Sequence, residues 1–578
     1  MKMAEALPDM VHYKHCTFST PETAPISPIF KNKGNALSEG TSSGSIARST
    51  ALMTVATLGS RATGLVRTWV MAFALGNTFV TSSYQVANNM PNVIFELVAG
   101  GLLAAAFLPT YLSEKERRGE AAGNRFANNL LNLGIVVLGA MSVLAAVFAP
   151  QVIATQTFTV GNSAEVTELA VEFFRIFAIQ ILFYGIGGVV TGILNANRVY
   201  FITAIAPALN NVAVIVAFLV YIPLSDVDPH LAIAVLAFGT SLGVALQFLI
   251  QIPALVKQGF KWRFSIDLKD PALREAIRIA VPTLIYVVGT MIAFSCRNAF
   301  SLQAGDEGPA TLLYAWTWYQ LPYGVLIVSF SRPLFTEMSA AVAKRDRIAM
   351  RRLTRAGIAV TVVMAVPFAG LICGLSTPLI SLFRAGAFNA QDVAYVASIL
   401  ALWVISLPFY SVTMLMYNVY ASLRKFLHFA LICTAMVAVQ CGMYALLCSP
   451  DVLGLYGVPI ADLVYYGVTS IVLTLLLRRY IGSFGIRLVL SSTLRILPAS
   501  LIGAAAAYAL STVMPGLAGE GSMLDGFVKL VICGLVGLVV SFGLAFLFRV
   551  PEMDRLKPVL AKLGRKINRK PARGRHSR

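Results

Sequence analysis

Long apolar runs alternate with short polar loops from residue 49 to residue 549 of this 578-residue chain. Fourteen runs are long enough to cross a bilayer, since a spanning helix needs about 20 apolar residues. The predicted spans cover residues 50–76, 82–113, 127–155, 167–195, 200–222, 230–255, 273–304, 309–341, 354–382, 390–423, 425–450, 455–477, 488–514 and 523–549. The pattern therefore predicts an all-α polytopic membrane protein with about 14 transmembrane helices.

Basic side chains divide the connecting loops into two alternating sets. Every second loop is basic, and these loops together contain nineteen Lys and Arg residues. The loops between them contain one basic residue in total, Arg384. The basic loops are 114–126, 196–199, 256–272, 342–353, 424–425 and 477–488. Basic residues near the ends of spans stay in the cytoplasm. We therefore expect a multi-pass protein of the bacterial cytoplasmic (inner) membrane with both termini in the cytoplasm.

The overall composition supports this expectation. The chain is 57% hydrophobic and 13% charged, which is too apolar for a soluble protein of this length. Residues 1–48 are polar and rich in Ser, Thr and Pro, and we interpret them as a disordered cytoplasmic extension. The basic tail 550–578 is interpreted as an anchor against anionic lipid, and we expect no nucleic-acid partner.

A weak internal repeat divides the predicted helices into two sets. The run 179–184 precedes Arg198, and the similar run 405–410 precedes Arg424 at an offset of 226 residues. The offset corresponds to six helices, so both copies have the same orientation across the membrane. The predicted organisation is an N-lobe of helices 1–6 (49–255), a C-lobe of helices 7–12 (273–477) and an additional helix pair, 13–14 (488–549). Two-lobed membrane proteins usually work by alternating access, with the substrate between the lobes.

Ionisable residues inside spans are the candidate functional residues, because burying them in lipid is costly. Arg61 and Arg67 lie in helix 1, Arg297 in helix 7 and Glu96 in helix 2. Gly64 lies between the two helix 1 arginines and permits a bend that directs both to one cavity. One interpretation is a cationic cavity for phosphate, which the arginine fork binds with two parallel hydrogen bonds. The alternative is internal ion pairing, for example of Arg61 with Glu96.

No catalytic arrangement is visible in the sequence. The spans contain neither a metal-ligand cluster of His, Asp and Glu nor a phosphate-binding P-loop. We therefore predict no enzymatic activity, no cofactor and no metal site.

Several short motifs resemble the MurJ/MviN family of lipid II flippases, which belongs to the multidrug/oligosaccharidyl-lipid/polysaccharide exporter superfamily. The first is the run from Ser60 to Arg67 in helix 1. Others follow in the family's order: Met90-Pro91-Asn92, Phe107-Leu108-Pro109, 195–201 with Ala206-Pro207 and Asn211, Leu321-Pro322-Tyr323-Gly324-Val325, and 378–388 with Asp392.

The resemblance implies two six-helix lobes around a cationic central cavity, and a groove for the polyprenyl tail built by helices 13–14. It also implies that Arg61 and Arg67 are essential substrate-binding residues. We expect Ser60, Gly64 and Glu96 to support them. The chain departs from the family at four places: Ser82, the pair Phe95-Glu96, Gly100 and the pair Trp316-Thr317. Where this chain has Trp316-Thr317, the family has an Asp-Arg pair. Arg297 is expected to compensate for that missing cation.

The resulting hypothesis is a flippase that moves lipid II, an undecaprenyl-diphosphate-linked peptidoglycan precursor, across the membrane by alternating access. The diphosphate would bind Arg61, Arg67 and Arg297. The alternatives are a flippase for another polyprenyl-linked saccharide, a drug/cation antiporter of the same superfamily, and a non-transporting scaffold. The last hypothesis adds cell-wall synthesis proteins as partners.

Overall fold

The structure is a computed structural model that describes residue 56 and residues 59–100, 107–159, 164–516 and 521–555. The predicted N-terminal extension, 1–48, and the tail beyond residue 555 lie outside these ranges. The predictions for these two segments therefore stay predictions.

The described residues form helices joined by short turns, with no strand among them. Helix α1 covers residues 59–75. The next helices are α2 Phe79–Phe95, α3 Leu108–Arg118, α4 Glu120–Val147, α5 Ala149–Thr157, α6 Ala164–Phe177, α7 Gln180–Ala196, α8 Tyr200–Ser225, α9 Pro229–Leu249 and α10 Ile252–Lys257. They are followed by α11 Pro271–Ala304, α12 Gly308–Tyr319, α13 Val328–Ala343, α14 Arg347–Gly374, α15 Ser376–Ile380, α16 Ala390–Trp403, α17 Leu407–Ser422, α18 Phe426–Leu447, α19 Gly457–Ile481, α20 Ile486–Val513 and α21 Met523–Leu547. The predicted all-α membrane fold is confirmed.

The number of spans is a separate question. Among the described residues, eleven continuous helical runs are long and apolar enough to cross a membrane. The count is twelve when α6 and α7, which meet at an angle of 44°, form one bent span. These runs correspond to predicted spans 3–14. The first two predicted spans contain undescribed residues, at 50–55, 57–58 and 101–106, so the count of fourteen stays a prediction.

Irregular turns recur along the chain at nearly the offset of the sequence repeat. A π-helical turn at Glu96–Gly100 follows α2, and a second at Tyr323–Ile327 precedes α13. The break between α6 and α7 likewise has a counterpart in the 3-10 turn Val404–Ser406 between α16 and α17. Such interruptions are costly within a membrane, so their recurrence favours a duplicated architecture over coincidence.

The clearest recurrence is at the ends of α7 and α17. Arg198 and Arg424 both adopt a left-handed backbone conformation, with φ of 61° and 56°. Each is followed by a residue whose N–H donates to a carbonyl five positions earlier, at 2.9 Å in both copies. This bond closes the helix end while the chain reverses direction. The position 226 residues after Arg198 therefore repeats its backbone geometry and its residue type, and the helix ends at Arg345 and Arg549 share the same geometry.

The connection between the predicted lobes is fastened to α4 by asparagine side chains. Asn132 donates to the carbonyl of Arg263 at 2.7 Å and accepts from Nε1 of Trp262 at 2.9 Å. Asn129 accepts from the backbone N–H of Asp267 at 2.8 Å. The start of α11 then packs among N-lobe residues, where Ala272 is buried against the same cluster as Phe107, Tyr111 and Phe126. Packing therefore places the first turns of α11 with the N-terminal helices, although the predicted C-lobe begins at 273.

Candidate functional site

Hydrogen bonds join the two predicted lobes at the end of the bundle opposite the basic loops. Asn77, after α1, donates to the hydroxyl of Thr311 in α12 at 2.9 Å. Tyr314 Oη donates to the carbonyl of Gly76 at 2.9 Å. Trp69 Nε1 donates to the carbonyl of Leu382 at 3.0 Å. We call this contact region, formed by residues 69–82, 308–314 and 382–388, the rim.

Two glycines allow the backbones to meet at the rim. Gly76 and Gly386 have φ of 66° and 58°, a region that disfavours other residues. A Cβ atom at Gly76 would lie 2.7 Å from the carbonyl oxygen of Ala387. The N–H of Ala387 also donates to the carbonyl of Phe73 at 3.0 Å. The resembling motif 378–388 therefore supplies part of the contact between the predicted lobes.

Arg61 reaches from α1 to the C-terminal half of the chain. Its side chain is exposed, and a Cβ atom at Gly324 would lie 3.2 Å from its Nη1. Gly324 belongs to the π-helical turn before α13, within the resembling motif Leu321–Val325. The absence of a side chain at Gly324 thus leaves room for the guanidinium, which lies between the two predicted lobes.

The described start of α1, from residue 59, is fixed against α8. Nδ2 of Asn211, which is 8% exposed, donates to the carbonyl of Ser60 at 3.3 Å and to the hydroxyl of Thr63 at 3.0 Å. A Cβ atom at Gly64 would lie 3.6 Å from the same Asn211 amide. Ser60 and Gly64 therefore orient the helix that carries Arg61. Helix α1 runs without a break from 59 to 75, so the bend expected at Gly64 is absent. Gly64 instead allows close packing against Asn211.

Arg67 is half-buried and faces a different environment. Its charge acts on the hydroxyls of Tyr84 in α2 and Tyr184 in α7. Tyr84 Oη lies 3.1 Å from the hydroxyl of Thr240, which ties this side of α1 into the N-terminal helices. The two arginines thus point to different neighbours, as expected from their separation of about 120° on an ideal helix.

Arg297 lies in an aromatic enclosure. Its guanidinium carbon is 5.4 Å from the ring centroid of Phe294, 5.5 Å from that of Trp316 and 5.8 Å from that of Trp403. Ring faces attract a cation, and the attraction grows where water is excluded. Arg297 therefore reaches α12 at Trp316, next to the position where the resemblance led us to expect a missing cation.

The ion pair of Arg61 with Glu96 does not form in the described part of the chain. Glu96 is half-buried at the start of a π-helical turn and accepts a hydrogen bond from Asn92 at 3.4 Å. Within the described ranges, Arg61, Arg67 and Arg297 form no ion pair with any carboxylate. Within the same ranges, Arg61 and Arg67 are therefore available cations, whereas the charge of Arg297 acts on the buried carboxylate of Asp462.

Two buried carboxylates were not among the sequence candidates. Asp462 in α19 is 1% exposed and accepts from Trp403 Nε1 at 2.8 Å, from Gln440 Nε2 at 2.7 Å and from Tyr444 Oη. Asp525 in α21 is 2% exposed and pairs with Lys529 at 3.1 Å. A single acid within an apolar span was the signal that could have identified Asp462. Two of its three donors lie on the preceding helix, α18, and the third lies on α16.

A separate apolar groove of about 720 Å³ lies beside α20. Its walls come from α14, α17, α19 and α20, and its lining includes Val366, Phe409, Leu475 and Leu497. The resemblance implied a groove built by helices 13–14. Among the described residues, the lining of this groove comes from predicted helix 13 (α20) and C-lobe helices, while α21 packs against α20 and contributes no lining residue.

The fold defines the class of protein. It resembles a solved structure titled as an inward-facing multidrug resistance MATE family transporter of the MOP superfamily, with a TM-score of 0.61 and 17% identity over 75% of this chain and 94% of that one. A lipid II flippase MurJ structure in an inward closed conformation matches with a TM-score of 0.69 and 22% identity, over 85% of this chain and 98% of that one. The chain is thus a multi-pass membrane protein that shares its fold with these two structures.

The family follows from the sequence. Residues 71–525 match the family model described as lipid II flippase MurJ, so the chain belongs to this family. The lipid II flippase MurJ of Burkholderia cenocepacia is 29% identical over 62% of this chain and 70% of its own length. The probable lipid II flippase MurJ of Bdellovibrio bacteriovorus is 26% identical over 89% of this chain and 96% of its own length. Family members are flippases, and the chain is therefore a bacterial membrane transporter and not an enzyme.

Proposed function

We propose that this chain transports lipid II across the bacterial cytoplasmic membrane by alternating access. The observation that carries the proposal is the position of Arg61, an exposed and unpaired arginine of α1 that faces Gly324 across the two predicted lobes. A diphosphate is the ligand that an arginine fork suits best, because two parallel hydrogen bonds reinforce the charge attraction. Arg67 and Arg297 supply further positive charge to the same substrate.

The apolar groove beside α20 suits the polyprenyl tail. Burial of an apolar chain in such a groove is favourable, and each buried CH₂ contributes about 0.8 kcal/mol in water. Within a bilayer the gain is smaller, because the lipid already surrounds the tail with hydrocarbon. The groove therefore guides the tail while the charged diphosphate binds between the lobes.

The lobes are expected to be 49–255 and 273–477, with 488–549 as the additional pair. Movement of one lobe against the other would break the rim bonds, such as Asn77 with Thr311, and expose the site at that end. The basic loops lie at the other end of the bundle, and the positive-inside rule places them in the cytoplasm.

The antiporter alternative requires a carboxylate that an external cation can reach. Asp462 is the most buried acid in the described spans, and three protein donors already occupy its oxygens. This arrangement argues against Asp462 as the cation site of an antiporter.

The deciding experiment is genetic rescue followed by direct transport. A bacterium depleted of its own lipid II flippase should grow when this chain is expressed. Purified protein in liposomes should move fluorescent lipid II between leaflets, whereas protein with Arg61→Ala should not. Growth without transport would support a scaffold, and transport of other polyprenyl-linked saccharides at equal rates would support a broader flippase.

A further inference from the structure

A small cavity next to the turn that faces Arg61 is lined by aromatic and polar side chains that suit a carbohydrate. We call it the tyrosine pocket, and it lies between α11, the turn Tyr323–Ile327, α13 and α17. Its volume is about 280 Å³. The side chains that argue for a ligand are Tyr286, Tyr323, Ser331, Tyr417 and Asn418.

The polar groups of the pocket are available to a ligand. Among the described residues, the hydroxyls of Tyr286, Tyr323 and Tyr417 have no hydrogen-bond partner, and neither does the carboxamide of Asn418. All four side chains are half-buried, so they border the cavity instead of lying in sealed protein. Hydroxyls both donate and accept, and a carboxamide has two donors and one acceptor oxygen. This set matches a ligand that carries several hydroxyl and amide groups.

The rings are held in place by a second aromatic layer. Tyr286 lies 5.5 Å from Phe429, and Tyr417 lies 5.0 Å from Phe426, between ring centroids. Tyr323 lies 4.9 Å from Tyr410. Side chains fixed in this way lose little freedom when a ligand binds, which favours affinity.

The same pocket is unsuited to a polyprenyl chain. Isoprene units gain nothing from tyrosine hydroxyls and an asparagine amide, and the apolar groove beside α20 already provides a larger site without such groups. A pyranose has an apolar C–H face that packs on an aromatic ring and an outer edge of hydroxyls that needs donors and acceptors. At about 280 Å³ the pocket is just below the range of about 300–1,000 Å³ for small-molecule sites, so it suits one ring.

The position of the pocket matches the covalent order of the substrate. Tyr323 lines the pocket, and the adjacent Gly324 is the residue that faces the Arg61 guanidinium. In a polyprenyl-diphosphate-linked saccharide, the diphosphate is bonded directly to the first sugar. A diphosphate held by Arg61 therefore places that sugar beside the tyrosine pocket.

We propose that the tyrosine pocket binds the first sugar ring of the transported lipid while Arg61 binds its diphosphate. The inference rests on the proposed function and deepens it, because it assigns headgroup recognition to residues of α11 and α17. Tyr417 and Asn418 are the specificity-determining residues, and Tyr286 and Tyr323 complete the ring surface.

The test compares two probes on the purified full chain in nanodiscs: a polyprenyl diphosphate, and the same lipid with one N-acetylated pyranose. The wild-type chain should bind the sugar-bearing lipid more tightly. Asn418→Leu and Tyr417→Leu should each reduce that preference about tenfold, which corresponds to about 1.4 kcal/mol, and leave the affinity for the bare diphosphate unchanged. Tyr417→Phe, which retains the ring, should have a smaller effect.

Tyr508→Leu is the matched control, because Tyr508 is 58% exposed on α20 and distant from this pocket. The elution profile and the melting temperature identify any variant that does not fold. If a leucine variant does not fold, the sugar preference of Tyr417→Phe decides the result. An unchanged preference in folded Asn418→Leu and Tyr417→Leu overturns the inference, and so does the absence of any preference in the wild-type chain. Failure of the proposed function looks different, because neither lipid would then bind the wild-type chain.

Discussion

The guanidinium of Arg61 occupies the space that a side chain at Gly324 would need. Nη1 of Arg61 lies 3.2 Å from the position of a Cβ atom at Gly324. The two residues are on helices of different predicted lobes, so the contact exists only in the folded chain. It places the family's helix 1 arginine against the π-helical turn before α13.

Removal of the Arg61 charge should abolish transport. We expect Arg61→Ala to reduce lipid II flipping in liposomes by about 100-fold or more, while the protein inserts normally, because one preorganised charged contact has an effect of this size. Arg61→Lys should restore only part of the rate, since lysine lacks the two-pronged geometry. Arg347→Ala, at an exposed cation in the first turn of α14, is the control. Transport by Arg61→Ala at the wild-type rate would contradict the assignment.

Gly324 provides an independent test of the same contact. Gly324→Val should displace the guanidinium and slow flipping strongly, although every arginine remains. Gly324→Ala should have a weaker effect because the Arg61 side chain can shift by a few tenths of an ångström. The measurement is the initial flipping rate at equal protein density. Equal rates for Gly324→Val and the wild type would show that the position of Arg61 is unimportant.

Arg297 should act as the C-lobe cation. Arg297→Ala is expected to lower transport severely, and the double variant Arg297→Ala with Thr317→Arg should recover part of it. The reason is that Thr317 follows Trp316, whose ring lies 5.5 Å from the Arg297 guanidinium. Normal flipping by Arg297→Ala would instead give the residue a purely structural role.

Locking the rim should stop the transport cycle. In a cysteine-free background, Asn77→Cys with Thr311→Cys joins side chains that are hydrogen-bonded at 2.9 Å across the predicted lobes. Flipping should cease on oxidation and return on reduction. Each single cysteine variant, which cannot form the crosslink, is the control and should keep its flipping rate on oxidation. Full activity of the crosslinked rim pair would exclude alternating access at this contact.

Asp462 should support folding more than transport chemistry. Asp462→Leu leaves three buried donors without their acceptor, and we expect a loss of about 2–5 kcal/mol in stability. A thermal unfolding curve in detergent measures this loss. Asp451→Leu, at an exposed position near the start of α19, should leave the melting temperature nearly unchanged. Equal melting temperatures for the two variants would show that the network contributes little.

Topology can be checked by labelling intact cells. A cysteine introduced at Arg118 or at Arg347 should not react with an impermeant external reagent, because the positive-inside rule places both loops in the cytoplasm. Reaction at either position would show that the predicted orientation is wrong.

Local sequence pattern determined the helices and their broad roles. Apolar runs of bilayer length fixed the α-helical membrane class, because a backbone in lipid must satisfy its hydrogen bonds within the segment. The motif from Ser60 to Arg67 identified the helix 1 arginines, and the repeat of 179–184 at 405–410 marked helix ends with the same backbone geometry. These features depend on neighbouring residues along the chain, which is why the sequence alone contained them.

Contacts between distant segments were decided only by tertiary structure. The space beside Gly324 that accommodates Arg61, the aromatic enclosure of Arg297 and the donors around Asp462 each combine residues from separate helices. Hydropathy does not specify which face of one helix meets which face of another, because in lipid every apolar face is equally well solvated. The tyrosine pocket shows the same limit: Tyr286 and Tyr417 are ordinary span residues in the sequence, and packing alone brings them to one cavity.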